Sequence, residues 1–242
     1  MAEQVFDHIG MGTGTARAFD VVETSGSSRA EVLAELTSRI RGMQRRTLGT
    51  GLEAPVVPVV DALAPLFPGA GLRPGAVYAV SSAALALMLM SESSRRGDWV
   101  AVVGIPDFSA DAAEAAGIRL DRLILVPHPG RQLIRAAAAL ADVMSLVLVG
   151  SPGSLAPAEG ARLEARLRRT GSILLSLGEW PGSEDQLALS DRQWSGLGSG
   201  HGHLAGCIAT VTAKGRGGRP RQVRIALPGM SEAPDQIEHI TE

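Results

Sequence analysis

Hydrophobic positions in this chain change period along its length, and the changes divide it into segments. From residue 77 onward, short apolar β-branched runs alternate with stretches whose apolar residues recur at three- and four-residue steps. Runs at 77–80, 99–103, 123–126, 146–149 and 172–177 predict strands, and 83–94, 110–116, 131–143 and 157–169 predict helices between them. Near-continuous apolar strands separated by helices imply a mainly parallel sheet covered by helices on both faces. Right-handed crossovers then make the fold doubly wound.

Before that core, Val56 opens a proline-punctuated apolar run that predicts short extended and helical pieces. Further upstream, Ser28-Arg29-Ala30-Glu31 forms a capping box, and Leu33, Leu36, Ile40 and Met43 make one apolar stripe. Arg39, Arg41, Arg45 and Arg46 suit the end of this helix. Two readings of the stripe stand side by side, packing on its own domain or docking on a partner chain. Residues 1–27 hold no sustained period; their GMGTGT run lacks the preceding strand and following helix that give a dinucleotide fingerprint its use.

Downstream of residue 177 the rhythm breaks. Residues 179–203 are rich in Gly, Ser and Asp and read as a long loop carrying Trp180 and Trp194. Alternating runs at 206–213 and 222–227 predict a terminal hairpin whose tip carries Lys214, Arg216, Arg219 and Arg221. The resulting organisation is an N-terminal arm at 1–27, a helix and linker at 28–50, a core at 51–228 and an acidic tail at 229–242.

Composition narrows the partners. With 23 Lys and Arg against 25 Asp and Glu, the formal charge of −2 supplies no global field for a polyanion, so any nucleic-acid contact must be local. A single cysteine, Cys207, excludes an intramolecular disulfide and suits a reducing, cytoplasmic compartment. No apolar run approaches the roughly 20 residues that span a bilayer. His201 and His203 with Cys207 supply three candidate ligands but no fourth, so no metal is expected. His128, between two prolines, has no nucleophile or acid partner in view and reads as structural.

Candidate chemistry centres on Gly69 to Leu87: a glycine turn, a strand, and a helix starting almost at once. This is the context of a phosphate-cradling loop, but the chain passes from Val80 through Ser81-Ser82 into the helix with neither Gly nor Lys. Ser82 is placed to cap that helix.

The order of pieces resembles the RecA family over roughly residues 59–227. The resemblance is carried by Gly71-Leu72-Arg73-Pro74-Gly75, by Ala116-Gly117-Ile118-Arg119-Leu120-Asp121-Arg122-Leu123-Ile124, and by Met144-Ser145-Leu146-Val147-Leu148-Val149. It implies a RecA-like core with the C-terminal hairpin and N-terminal amphipathic helix as additions. It also implies three lost chemical groups: the P-loop lysine, the metal-binding aspartate where Gly150 stands, and the water-orienting glutamate near Ile105, Pro106 and Asp107. A triphosphate needs lysine and magnesium together, so a joint loss implies a pseudo-ATPase with no cofactor.

Among RecA relatives, Leu72 to Tyr78 running into Ser81-Ser82, with Leu125-Val126-Pro127-His128-Pro129, resembles the ImuA-like accessory proteins of error-prone translesion synthesis. That resemblance implies a non-catalytic adaptor of the DNA-damage response. Its partners would be an ImuB-type Y-family polymerase homologue and, through it, a DnaE-type polymerase and the sliding clamp, on the nucleoid after damage. Partner-binding candidates are Leu33, Leu36, Ile40, Met43, Trp180 and Trp194; DNA-binding candidates are Lys214, Arg216, Arg219 and Arg221. The alternatives are a binder of single-stranded DNA or RecA filaments, and an ATPase with an unorthodox phosphate site.

Overall fold

The structure is a computed structural model describing residues 56–153, 155–197, 202–216 and 218–227, with main chain only for 197 and 202–204. The expected arm at 1–27, the helix bearing Leu33, Leu36, Ile40 and Met43, and the tail at 229–242 lie outside the described residues.

The proline-rich entry folds as expected into short pieces. Strand β1 (Val57–Pro58) pairs antiparallel with β2 (Gly71–Leu72), and two 3-10 turns, Asp61–Leu66 and Pro68–Ala70, lie between them. Phe67 from this entry meets Tyr78 edge-on, with ring centroids 5.8 Å apart.

The core is one eight-stranded sheet. Its strands are β3 (Val77–Val80), β4 (Val100–Val103), β5 (Leu123–Val126), β6 (Leu146–Val149), β7 (Ile173–Leu177), β8 (Asp185–Leu197), β9 (Gly202–Gly215) and β10 (Arg221–Ala226). They lie in the order β10-β9-β8-β3-β7-β6-β4-β5. Every pairing from β8 to β5 is parallel, and β8-β9-β10 is antiparallel.

Four helices connect the parallel strands: α1 (Ala83–Arg95), α2 (Ala110–Ala115), α3 (Leu133–Leu140) and α4 (Pro157–Thr170). The expected helix at 131–143 is shorter because a 3-10 turn, Gly130–Gln132, precedes it. Alternation along each strand sorts the core into two layers. Tyr78, Val80, Val102 and Leu148 pack in one buried cluster with Leu85 and Leu89 of α1. Val77, Ala101, Val103 and Val149 pack in the other with Ala137 of α3 and Leu163 and Leu167 of α4.

The path follows from these layers. α1 and α2 carry the chain outward over one face, from β3 to β4 to β5, and α3 and α4 return it over the other face to β6 and β7. A constant crossover hand requires this change of face when direction reverses. The reversal puts a crevice at the carboxyl ends of β4 and β6, where open α/β sheets bind ligands.

One expectation is corrected. The supposed loop at 179–203 contains the 13-residue strand β8, and the hairpin is therefore the outer part of a three-stranded antiparallel sheet. Leu187 turns inward at 2% exposure while Gln186, Ala188 and Ser190 face outward. That two-residue alternation outweighs the polar composition, because a strand covered on one face needs apolar residues only at every second position.

Candidate functional site

Where β3 gives way to α1, both serines are engaged by the chain itself. The Ser81 amide donates to the Leu187 carbonyl at 2.9 Å, and the Ser81 hydroxyl accepts from the Leu189 amide at 3.0 Å. Ser82 has extended backbone and its hydroxyl accepts from the Leu85 amide at 3.3 Å, which makes it the N-cap of α1. Val80 is buried beneath them. The turn therefore ties β3 to β8 and starts a helix.

At the β4–β6 crevice the closure is steric. The Gly150 amide donates to the Val103 carbonyl at 2.8 Å, and a Cβ at Gly150 would lie 2.2 Å from the Gly104 carbonyl oxygen. Gly104 sits in the left-handed region at φ 75°, and Leu133 packs where its own Cβ would be. Two backbones thus fill the space beside Gly150, the position at which the RecA resemblance implies a lost metal-binding aspartate.

Beside this crevice, α1 and α2 flank a groove of about 250 Å³ lined by Ala83, Ala84, Leu87, Ile105 and Phe108, with Asp107 as its charged residue. Ile105 is half-buried in the core and Asp107 is exposed. The surface is apolar with one negative group, and it offers no cation to a phosphate.

The two tryptophans have opposite fates. Trp180, expected to face a partner, is 1% exposed; its Nε1 donates to Glu164 Oε1 at 3.0 Å, and its ring packs in the layer of Leu163 and Leu167. It follows β7 closely enough to fold back under α4, where Gly160 leaves room for Leu155 beside the indole. Trp194 is 51% exposed and lies on β8 opposite Cys207.

The basic tip is likewise divided. Arg221 is ion-paired with the buried Asp185, and the Arg216 guanidinium donates to the carbonyls of Gly182 and Ser183. Both tie the hairpin to the start of β8 and are held in structural bonds. Lys214 and Arg219 are exposed. Arg224, which lies outside the expected basic tip, is also exposed and donates to Gln193 Oε1 at 3.0 Å. The alternation Gln222-Val223-Arg224-Ile225 carries the signal for it, since Ile225 is buried and Arg224 must then point outward. Of the expected metal-type ligands, Cys207 is buried in β9, and His201 and the His203 side chain lie outside the described residues.

Near the start of β3, burial pushes the Tyr78 hydroxyl up to about 12, and its oxygen accepts from the Arg73 amide at 2.8 Å. Arg73 also ion-pairs with Glu184, so the glycine lead-in is fastened to the segment before β8.

Among known proteins, residues 65–182 match the family described as the MT3502 N-terminal domain. A protein of Mycobacterium tuberculosis, named uncharacterized protein Rv3395c, is 37% identical over 120 residues, which cover 48% of this chain and 59% of that protein. The chain thus spans about three-fifths of that relative's length. A crystal structure of SulA from Pseudomonas aeruginosa aligns over 41% of this chain and 92% of its own, at 17% identity and a TM-score of 0.30. Among the described residues, no helix is long and apolar enough to cross a membrane.

Proposed function

We propose that the chain is a non-catalytic adaptor with a RecA-like pseudo-ATPase core, acting in damage-induced translesion synthesis. Its partners on this reading are an ImuB-type Y-family polymerase homologue and, through it, a DnaE-type error-prone polymerase and the sliding clamp. The assignment to translesion synthesis rests on the sequence resemblance. The non-catalytic part rests on one observation, that a Cβ at Gly150 would lie 2.2 Å from the Gly104 carbonyl oxygen.

Phosphoryl transfer requires charge at the strand ends: a lysine on the phosphates, and a carboxylate holding magnesium. Here the second position has no room for a side chain, and the serines of the first are committed to β8 and to the α1 cap. The neighbouring groove presents alanine, leucine, isoleucine and phenylalanine with Asp107, whose charge repels a triphosphate. A protein built this way acts through its surfaces, and among the described residues Trp194 is the exposed aromatic residue suited to anchor a partner.

The test is affinity capture of the tagged full chain from cells treated with a DNA-damaging agent. Co-recovery of the ImuB-type protein and the DnaE-type polymerase is expected, and a Trp194→Ala chain should recover less of both. Repeated capture with neither polymerase-related protein present overturns the adaptor assignment.

A further inference from the structure

Among the described residues, the helices that cover the sheet leave one area open. Over β8, β9 and β10 one face is buried, with Leu187, Ala209, Val211, Ala213 and Ile225 at 2% exposure or less. The opposite face is exposed or half-exposed. The register assembles it in rows: Gln186 beside Lys214, then Ala188, Thr212 and Gln222, then Ser190, Thr210 and Arg224. Gln222 Nε2 donates to Thr212 Oγ1 at 3.1 Å, so adjacent strands are linked across the surface.

The chemistry of this face is uniform. Apart from Ala188 it presents amides, hydroxyls and two cations, and no residue of the three rows is a carboxylate. The surrounding segment is basic in an otherwise slightly acidic chain: residues 185–227 hold Arg192, Lys214, Arg216, Arg219, Arg221 and Arg224 against Asp185 and Asp191. Asp185 is neutralised by Arg221, and Asp191 is hydrogen-bonded by Ser190. At one end Lys214 and Gln186 open into a hollow of about 370 Å³, in which Glu179 is the lining carboxylate.

We infer that this open face of β8-β9-β10 is a binding surface for the sugar-phosphate backbone of single-stranded nucleic acid. Lys214 and Arg224 meet phosphates, and Thr210, Thr212, Gln186 and Gln222 supply hydrogen bonds around them. A face three strands wide within a larger sheet is broader than the two-stranded ribbon that a major groove admits, whereas a single strand can lie along it. No aromatic residue stands in these rows, and Trp194 is on the other face beside Cys207, so binding is weak, salt-sensitive and tolerant of sequence. This surface is separate from the strand-end crevice, and it stands or falls independently of the adaptor assignment.

Fluorescence anisotropy of a labelled oligothymidylate, titrated with the full chain at several salt concentrations, tests this. Binding at low salt is expected, and Lys214→Ala with Arg224→Ala should weaken it about tenfold or more. The dependence of log K on log salt should fall by roughly 1.4, about 0.7 for each lost single-strand phosphate contact. Glu179→Gln should tighten binding, and Arg131→Ala with Arg135→Ala, on the α3 side, should leave it unchanged. Unaltered thermal unfolding of the exposed-residue variants excludes misfolding. Absence of low-salt binding, full affinity in the double variant, equal affinity for the corresponding duplex, or equal competition by polyglutamate each overturns the inference.

Discussion

Gly150 shows how one missing side chain can be a packing requirement. Its Cβ position is 2.2 Å from a main-chain oxygen, so even alanine must displace the β4 exit. Gly150→Ala should cost at least about 2 kcal/mol, which by calorimetry lowers Tm by roughly 4–8 °C. Gly150→Asp should cost more and create no magnesium site. An unchanged Tm for either variant contradicts the steric account. Tyr78 gives a second residue-scale expectation. Its hydroxyl titrates at about 12 in the fold against 10.0 when free, so the unfolded chain loses this proton first. Stability from this source is present below pH 10, falls as pH rises through 10 to 12, and amounts to about 3 kcal/mol. Tyr78→Phe should flatten that alkaline decline in denaturant titrations and cost about 1–2 kcal/mol at neutral pH by leaving the Arg73 amide unpaired.

Among the elements, α1 depends on a hydroxyl that a phosphate-binding turn would use differently. Ser82→Ala should destabilise the fold by about 1 kcal/mol, measured by urea unfolding, through loss of the N-cap bond to Leu85. Strand β8 shows where periodicity was readable and composition misled. Strands β3, β4, β6 and β7 are buried on both faces and stand out as apolar runs; β8 is covered on one face, so Leu187 and Leu189 alternate with Gln, Ala and Ser. Trp180 was unreadable for a related reason. Its indole is buried only because α4 returns above it and Glu164 supplies an acceptor, both long-range consequences of topology. The same holds for Arg216 and Arg221, whose partners lie 33 to 36 residues away.

Across the whole molecule, the mainly parallel sheet with helices on both faces and the C-terminal antiparallel pair were legible because each connection is local. The closure of the strand ends was legible only as missing residue types; its physical form, backbone against backbone at Gly104 and Gly150, required the register of β4 with β6. The described residues thus combine a parallel sheet closed at Gly104 and Gly150 with an exposed tryptophan and a basic face on the antiparallel strands, and the proposed reading requires that the closed strand ends take up no nucleotide. Calorimetric titration of the purified full chain with ATP and magnesium tests this most directly: no saturable binding is predicted up to millimolar ATP, whereas micromolar binding that disappears in Ser81→Ala/Ser82→Ala would contradict it.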